Sequence, residues 1–216
     1  MIIDRVDEEF LLFALDPDGH WAHEVEATLS HGLAAAWLAE LMVEGRLALR
    51  DGKILARTKS PIGDPTLDWA LGTIRKPKRP KRAKTWVKRL ARRAGPHVPE
   101  VLKRLHGRGH IDVVKANHGS GVLYPTHDPA SRTQLREHLR MVLFGQRGAD
   151  DSAVALLAIL DGAGLTEHVF GPQMARQSDM LLDRMLRRDH RFALLRTIVS
   201  RKLPRRRRKA MKAGRR

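Results

Sequence analysis

The chain has 216 residues, 42% of them hydrophobic, which suits one compact domain with a substantial core. The absence of cysteine excludes disulfides, thiolate catalysis and cysteine-ligated zinc, and fits a reducing cytoplasm. The net charge of +17 is local, because residues 75–93 carry 11 Lys or Arg, residues 201–216 carry 10, and neither segment has an acidic residue. The other 20 of the 41 basic residues face 24 acidic ones, so two basic segments favour a polyanionic partner.

The N-terminal segment is acidic before its first apolar run, whereas a secretory signal starts with basic residues. No apolar run reaches the roughly 18 residues that a membrane-spanning helix needs. We therefore expect a cytoplasmic protein whose contact with a membrane, if it has one, is peripheral.

The first part of the chain predicts a helix followed by a hairpin. Residues 9–15 form a short apolar segment that ends in a turn. Apolar residues then recur every three or four positions over residues 24–44, which predicts a helix ending at Gly45. Residues 46–57 alternate around an Asp-Gly pair, a pattern typical of a β-hairpin.

Two shorter helices are predicted next. Asp64 or Thr66 is placed to cap the first of them. Residues 76–80 contain two prolines and interrupt the helical pattern. Residues 83–93 then predict a short amphipathic helix with Trp86 in its apolar stripe.

A further helix and a second hairpin follow. Residues 100–107 predict the helix, which ends near a glycine. Residues 111–115 and 121–124 read as the two strands, with residues 117–120 at the tip between them.

The remaining segments complete a mainly α-helical fold. Asp128 or Ser131 is placed to cap a helix that runs to about Phe144. Residues 151–162 are apolar all round, so we expect a buried central helix around which the others pack. Two more helices are predicted at residues 172–187 and 189–202. We expect a single compact domain over residues 1–203, with two small hairpins, and a basic disordered tail over residues 204–216.

Motifs for catalysis are missing from the sequence. It has no GxSxG, HExxH or P-loop pattern. His106 and His110 are four residues apart, but the glycines between them argue against a helical metal site. Asp64 and Asp68 are explained by helix capping and a favourable helix-dipole contact. We expect no enzymatic activity, no cofactor and no metal.

The basic stretch of residues 75–93 is interleaved with apolar residues, which predicts a fixed patch on a folded scaffold. Eleven cations without a counter-charge repel one another unless an anion neutralises them. The simpler interpretation is a solvated face that promotes solubility. Trp86 is expected to hold the helix in place, and the tail residues 205–209 to add a second contact. The residues assigned to binding a lipid headgroup or another anion are Arg79, Arg82, Lys84, Trp86, Lys88, Arg89, Arg92 and Arg93.

The second hairpin offers an apolar element. Val122, Leu123 and Tyr124 are assigned to insertion into a bilayer interface, with Tyr124 at the depth of the headgroups. The alternative is that alternate residues of this strand face the core.

Several short motifs occur in a fixed order along the chain. The N-terminal ones are LLFAL at 11–15, GL at 32–33, LAEL at 38–41, GRL at 45–47, PIGD at 61–64 and LDWAL at 67–71. Later ones are the Trp86-Val87 pair with Leu90, the segment 102–109 with the hairpin after it, and the apolar helix at 153–160. In this order they resemble the Golgi phosphoprotein 3 family. The resemblance covers roughly residues 8–200, and the composition rich in Arg and Ala looks more like a bacterial member.

The resemblance implies a mostly helical domain with hairpins, no enzymatic activity, and binding of phosphatidylinositol 4-phosphate and of the cytoplasmic tails of Golgi enzymes. Eukaryotic members of the family recognise the headgroup with a Trp and several Arg on a basic face beside a hydrophobic hairpin. An ungapped alignment places these on Val25, Ala34, Gly95 and Val98, and a gap would bring Arg92 or Arg93 into place instead.

The leading hypothesis is a peripheral membrane protein that binds anionic phospholipid through the basic patch. The rival is a nucleic-acid-binding module, since a helix, a glycine and a hairpin superficially suggest a winged helix, and the pI of about 11.2 suits a phosphate-backbone binder. A third hypothesis is a scaffold that docks an acidic protein.

Overall fold

The computed structural model describes residues 5–58, 60–115 and 121–204, and helices dominate these residues. The mainly helical fold with two small antiparallel sheets, predicted from the sequence, is confirmed. The predicted hairpin tip at 117–120 and the tail beyond Pro204 lie outside the described residues. The helices are α1 (Val6–Ala14), α2 (Leu29–Val43), α3 (Pro65–Arg75), α4 (Ala83–Ala91), α5 (Val98–Gly107), α6 (Pro129–Leu143), α7 (Asp151–Ala163), α8 (Thr166–Phe170), α9 (Pro172–Leu186) and α10 (His190–Ser200). The strands are β1 (Leu47–Arg50), β2 (Lys53–Ala56), β3 (Lys81–Arg82), β4 (Val114–Lys115) and β5 (Val122–Leu123).

Two helices, α2 and α7, form the centre of the fold. Every residue from Ala153 to Ala163 is buried, as the all-round apolar pattern predicted. Helix α7 packs against α10, α2 and α1, and α2 in turn packs against α4 and α3. Helix α2 is buried just as completely, from Gly32 to Met42, so a second central helix lies beside the predicted one.

The helix predicted over residues 24–44 begins later, at Leu29. The segment before it forms a 3-10 turn at His23–Val25. The hydroxyl of Thr28 donates to the carbonyls of Val25 and Ala163, at 3.2 and 3.1 Å. These bonds tie the entry of α2 to the end of α7, so tertiary contact overrides the helical periodicity of this segment.

Helix α1 carries buried acidic residues that are neutralised by Arg5, directly before the helix, and by two arginines from a distant segment. Asp7 and Glu8 are both 0% exposed. The guanidinium of Arg104, on α5, lies 2.8 Å from Asp7 and 2.8 Å from Glu8. Arg108 lies 2.9 Å from Glu8, and Arg5 lies 3.0 Å from Asp7. The group balances three cations against three carboxylates, and we call it the α1 ion cluster: Arg5, Asp7, Glu8, Asp64, Arg104 and Arg108.

Asp64 joins the α1 ion cluster to the start of α3. Its side chain accepts a hydrogen bond from the backbone N–H of Leu67 at 2.8 Å, so Asp64 rather than Thr66 caps this helix. Its other carboxylate oxygen lies 2.8 Å from Arg5 and 3.4 Å from Arg104. Burial alone would raise the pKa of Asp64, but the Leu67 hydrogen bond and the two arginines outweigh it and lower that pKa.

The first hairpin has the predicted Asp-Gly turn and gains a third strand. Asp51 and Gly52 have φ of 50° and 71°, the positive values that a tight hairpin turn requires at both central positions. Strand β3 pairs antiparallel with β2, with Lys53 opposite Arg82 and Ile54 opposite Lys81. The sequence did not predict β3, because two residues between a proline-containing break and a helix carry no alternating pattern.

Candidate functional site

The basic segment of residues 75–93 is carried by folded elements: the end of α3, a loop, β3, α4 and the two residues after α4. Leaving Arg75 aside, we call its other ten cations the basic patch. None of them forms an ion pair with a carboxylate in residues 5–58, 60–115 or 121–204, so distant parts of the fold do not neutralise it there. Lys81 and Arg89 are half-buried, and the exposed members are Lys76, Lys78, Arg79, Arg82, Lys84, Lys88, Arg92 and Arg93.

Helix α4 presents part of the basic patch as a stripe. Lys84, Lys88 and Arg92 are exposed and lie at successive four-residue intervals, so they share one face of the helix. Ala83, Val87, Leu90 and Ala91 are buried on the opposite face with Trp86. The amphipathic pattern of the sequence therefore gives a rigid cationic ridge.

Trp86 holds α4 in the core rather than facing solvent. Its side chain is only 1% exposed, which agrees with the anchoring role expected for it. The guanidinium carbon of Arg89 lies 5.4 Å from the centre of its ring, a cation–π contact that orients Arg89. The buried ring is not accessible to a lipid headgroup, to whose binding Trp86 was assigned from the sequence, and it instead positions Arg89.

The second hairpin exposes a set of apolar residues that differs from the one assigned to membrane insertion. Val122 is 46% exposed, whereas Leu123 and Tyr124 are half-buried. On the other strand, β4, Val114 is 46% exposed, and Val113 directly before that strand is 51% exposed. Val122 pairs with Lys115 and Leu123 pairs with Val114, so apolar residues lie on both faces of this hairpin. Such exposed valines are typical of an element that contacts an apolar partner.

An aromatic pair lies at the base of the second hairpin. The rings of Trp21 and Tyr124 are 6.5 Å apart and tilted, and Trp21 is 36% exposed. Paired amphipathic aromatics suit a membrane interface, where one end of the ring is apolar and the other is hydrated. The pairing of Trp21 with Tyr124 was not predicted from the sequence, because 103 residues separate the two.

Gly19 joins the Trp21 loop to the second hairpin. Its carbonyl accepts a hydrogen bond from the Tyr124 N–H at 3.1 Å, and its φ is +90°. A Cβ added there would lie 2.3 Å from the backbone nitrogen of Pro125, closer than real contacts allow. Glycine is therefore required for this close approach of two backbones.

We predict that Gly19→Ala lowers the free energy of unfolding by about 1–2 kcal/mol more than Gly52→Ala does. Both glycines have positive φ, but a Cβ at Gly52 meets no atom within 4 Å, so the comparison isolates the backbone clash. Urea unfolding followed by circular dichroism measures the difference. Equal losses in the two variants would show that the hairpin does not depend on this contact.

The positions that align without gaps to the family's headgroup-binding residues are unsuited to that role. Val25 and Ala34 are both 0% exposed, and Ala34 lies inside α2. Gly95 offers no side chain. Arg92 and Arg93 are exposed and belong to the basic patch, so the gapped alignment is the one that places cations at a surface.

No group of three His, Asp or Glu among the described residues is arranged to hold a metal ion. Nor does any described helix combine the length and apolarity that crossing a membrane takes. A cavity of about 720 Å³ lies along α6 and the start of α7, and no basic-patch residue lines it.

Comparison with known proteins gives a match at the level of the family. The family model described as Golgi phosphoprotein 3 (GPP34) matches residues 6–211, nearly the whole chain. No curated protein matches the sequence. The match covers the buried α1, the two central helices, both hairpins and the basic patch. The chain belongs to the Golgi phosphoprotein 3 family.

Proposed function

We propose that this protein is a non-enzymatic peripheral membrane protein that binds anionic phospholipid through the basic patch. The observation that carries the proposal is that ten cations on folded elements have no carboxylate partner among the described residues. Each Lys or Arg close to an anionic leaflet contributes about 1 kcal/mol of binding free energy. If half of the patch is engaged, the electrostatic attraction is about 5 kcal/mol.

The second hairpin supplies the apolar part of the proposed contact. Val113, Val114 and Val122 would enter the headgroup layer, with Trp21 and Tyr124 at its boundary. Val122 and Tyr124 were also assigned to the membrane contact from the sequence. Leu123, also assigned there to insertion, is half-buried and would contribute less.

The family suggests the biological setting of this binding. We propose phosphatidylinositol 4-phosphate as a headgroup, the cytoplasmic face of a membrane as the location, and cytoplasmic tails of membrane proteins as further partners. Arg92 and Arg93 are the cations we propose for contact with the phosphate of such a headgroup, because both are exposed and a gapped alignment would bring one of them to the position of a family arginine.

Nucleic-acid binding through a winged helix is the weaker hypothesis. Its recognition helix would be α5, which precedes the second hairpin. Arg104 of α5 and Arg108, directly after the helix, instead pair with Asp7 and Glu8 in the α1 ion cluster. The helix therefore lacks the free arginines that reading a DNA groove requires.

We predict that Lys84→Gln/Lys88→Gln weakens binding to phosphatidylcholine vesicles that carry phosphatidylserine by roughly 30-fold. The loss of two surface cations near the leaflet removes about 2 kcal/mol. Co-sedimentation over a range of lipid concentrations measures the change. Vesicles in which phosphatidylinositol 4-phosphate replaces phosphatidylserine at equal charge test the headgroup, and tighter binding to them is expected.

The matched control is Arg176→Gln/Arg184→Gln on α9, which removes the same charge from exposed positions outside the patch. This control should bind vesicles as the wild-type protein does. Equal binding of the wild type to neutral and anionic vesicles would sink the proposal. Equal losses in both variants would show that net charge, rather than the patch, drives binding.

A further inference from the structure

Three cations from three different strands lie in one row across the first sheet. Arg50 on β1 is paired with Lys53 on β2, and Lys53 is paired with Arg82 on β3. Residues directly opposite each other on antiparallel strands point to the same face. All three side chains are exposed, and we call them the cation row. Because neighbouring strands are about 4.8 Å apart, the row spans about 10 Å.

The opposite face of this sheet packs on the protein. Ile54 is 1% exposed, and β2 packs against α3 and α4. One face of the sheet is therefore fixed to the core while the other presents the cation row to solvent. The row is held by backbone pairing and cannot spread apart as cations on a loop would.

The cation row is unfavourable for the isolated protein. Like charges directly opposite each other destabilise an antiparallel pair. No member of the row forms an ion pair with a described carboxylate. Asp51, the one acidic residue of the hairpin sequence, is exposed in the turn and likewise pairs with no described cation.

The start of α4 adds to the positive potential beside the row. Helix α4 begins directly after Arg82, and the Gly52 carbonyl accepts a hydrogen bond from the Ala83 N–H at 2.9 Å. The first turn of α4 contains Lys84 and no acidic residue, although the partial positive charge of a helix N-terminus favours anions. An external anion at the cation row would relieve the repulsion among the three cations of the row. It would also relieve the repulsion between Lys84 and the positive N-terminus of α4.

We propose that the cation row is a phosphate-binding subsite that brings the first hairpin against an anionic bilayer surface. This inference rests on the proposed function and deepens it, because Arg50 and Lys53 lie outside the basic segment of residues 75–93. Arginine binds phosphate with two parallel hydrogen bonds, and lysine binds it as a compact point charge. A rigid line of three such groups matches a layer of lipid phosphates better than it matches one small anion.

The test uses the full chain with Arg50→Gln/Lys53→Gln and phosphatidylcholine vesicles that carry phosphatidic acid. We expect binding to weaken roughly 30-fold, because two cations leave the surface contact. We expect the urea midpoint to stay the same or rise, because like-charge repulsion is relieved. A purely structural role of these side chains would instead lower the midpoint.

Asp51→Asn is the matched variant of opposite sign in the same turn. Asparagine tolerates the positive φ of 50° at this position, so the turn is preserved. Removing the negative charge should tighten vesicle binding about fivefold. Weaker binding of this variant would contradict an electrostatic contact at the hairpin.

Two further measurements distinguish a bilayer surface from other ligands that carry phosphate. Calorimetric titration with inorganic phosphate should show no saturable binding, and duplex DNA should bind the wild type and the Arg50→Gln/Lys53→Gln variant alike. Saturable phosphate or DNA binding that the variant loses, together with unchanged vesicle binding, would overturn the inference. If Lys84→Gln/Lys88→Gln loses vesicle binding and the hairpin variant does not, the inference fails and the proposed function stands. If the wild type does not bind anionic vesicles, both the inference and the proposed function fail.

Discussion

Replacing Arg104 with Met should lower the free energy of unfolding by about 3–5 kcal/mol. Its guanidinium contacts Asp7, Glu8 and Asp64, and the first two carboxylates are 0% exposed. Met fills a similar volume but leaves two buried carboxylates with fewer counter-charges. The cost is that of desolvated charge with too few counter-charges rather than that of lost packing. Chemical denaturation with urea, monitored by circular dichroism, measures this loss.

Lys103→Met is the matched control for Arg104→Met. Lys103 is the exposed neighbour of Arg104 on α5 and pairs with no described carboxylate, so its loss should change stability by less than about 0.5 kcal/mol. A double-mutant cycle of Arg104→Met with Glu8→Gln should show strong coupling, because the second change removes a buried charge that the first leaves with fewer counter-charges. A loss below about 1 kcal/mol for Arg104→Met would mean that water or rearrangement neutralises the acids.

Glu40→Gln should make the protein progressively more stable than the wild type as pH rises. Glu40 is 6% exposed, and burial raises its pKa from the ordinary 4.5 to about 7. A raised carboxyl pKa favours folding below the unfolded value, and this advantage is lost as pH rises through the folded value. Gln stays neutral, and its carbonyl can still accept the Val6 N–H that Glu40 accepts at 2.8 Å. Between about pH 5 and 8 the stability difference should grow by about 2–3 kcal/mol.

The comparison between the two proteins isolates Glu40 from other titrating groups. Burial lowers the pKa values of His31, His97 and His110, which makes stability rise with pH and opposes the Glu40 effect. These contributions are common to both proteins and cancel in the difference. Urea unfolding at several pH values gives the curve, and a difference independent of pH would show that Glu40 is ionised throughout.

The sequence predicted the elements whose pattern is local. Helix α7 was predicted because its apolar residues are contiguous, and the first hairpin because its Asp51-Gly52 turn has a strong signature. The burial of Trp86 under a cationic face followed from the spacing of residues within α4. In each case the residues that decide the structure lie within one or two turns of each other.

The parts that the sequence did not predict depend on distant partners. The sequence shows Asp7 and Glu8 only as acidic residues before an apolar run, and their burial depends on Arg104, which reaches them from 97 and 96 residues away. Strand β3 exists because β2 offers an edge to pair with, and so the cation row could not be predicted without the register. The pairing of Trp21 with Tyr124 likewise depends on the close approach at Gly19.

The protein holds its charges in two settings that respond differently to dissolved ions. The carboxylates of the α1 ion cluster are shielded by protein, whereas the basic patch and the cation row face solvent. At about 1 M salt the screening length falls to about 3 Å, which suppresses exposed electrostatics far more than buried pairs. If the proposed function holds, concentrated salt should therefore release the chain from anionic vesicles without unfolding it, and dilution should restore binding. Salt would then control the proposed membrane contact independently of folding.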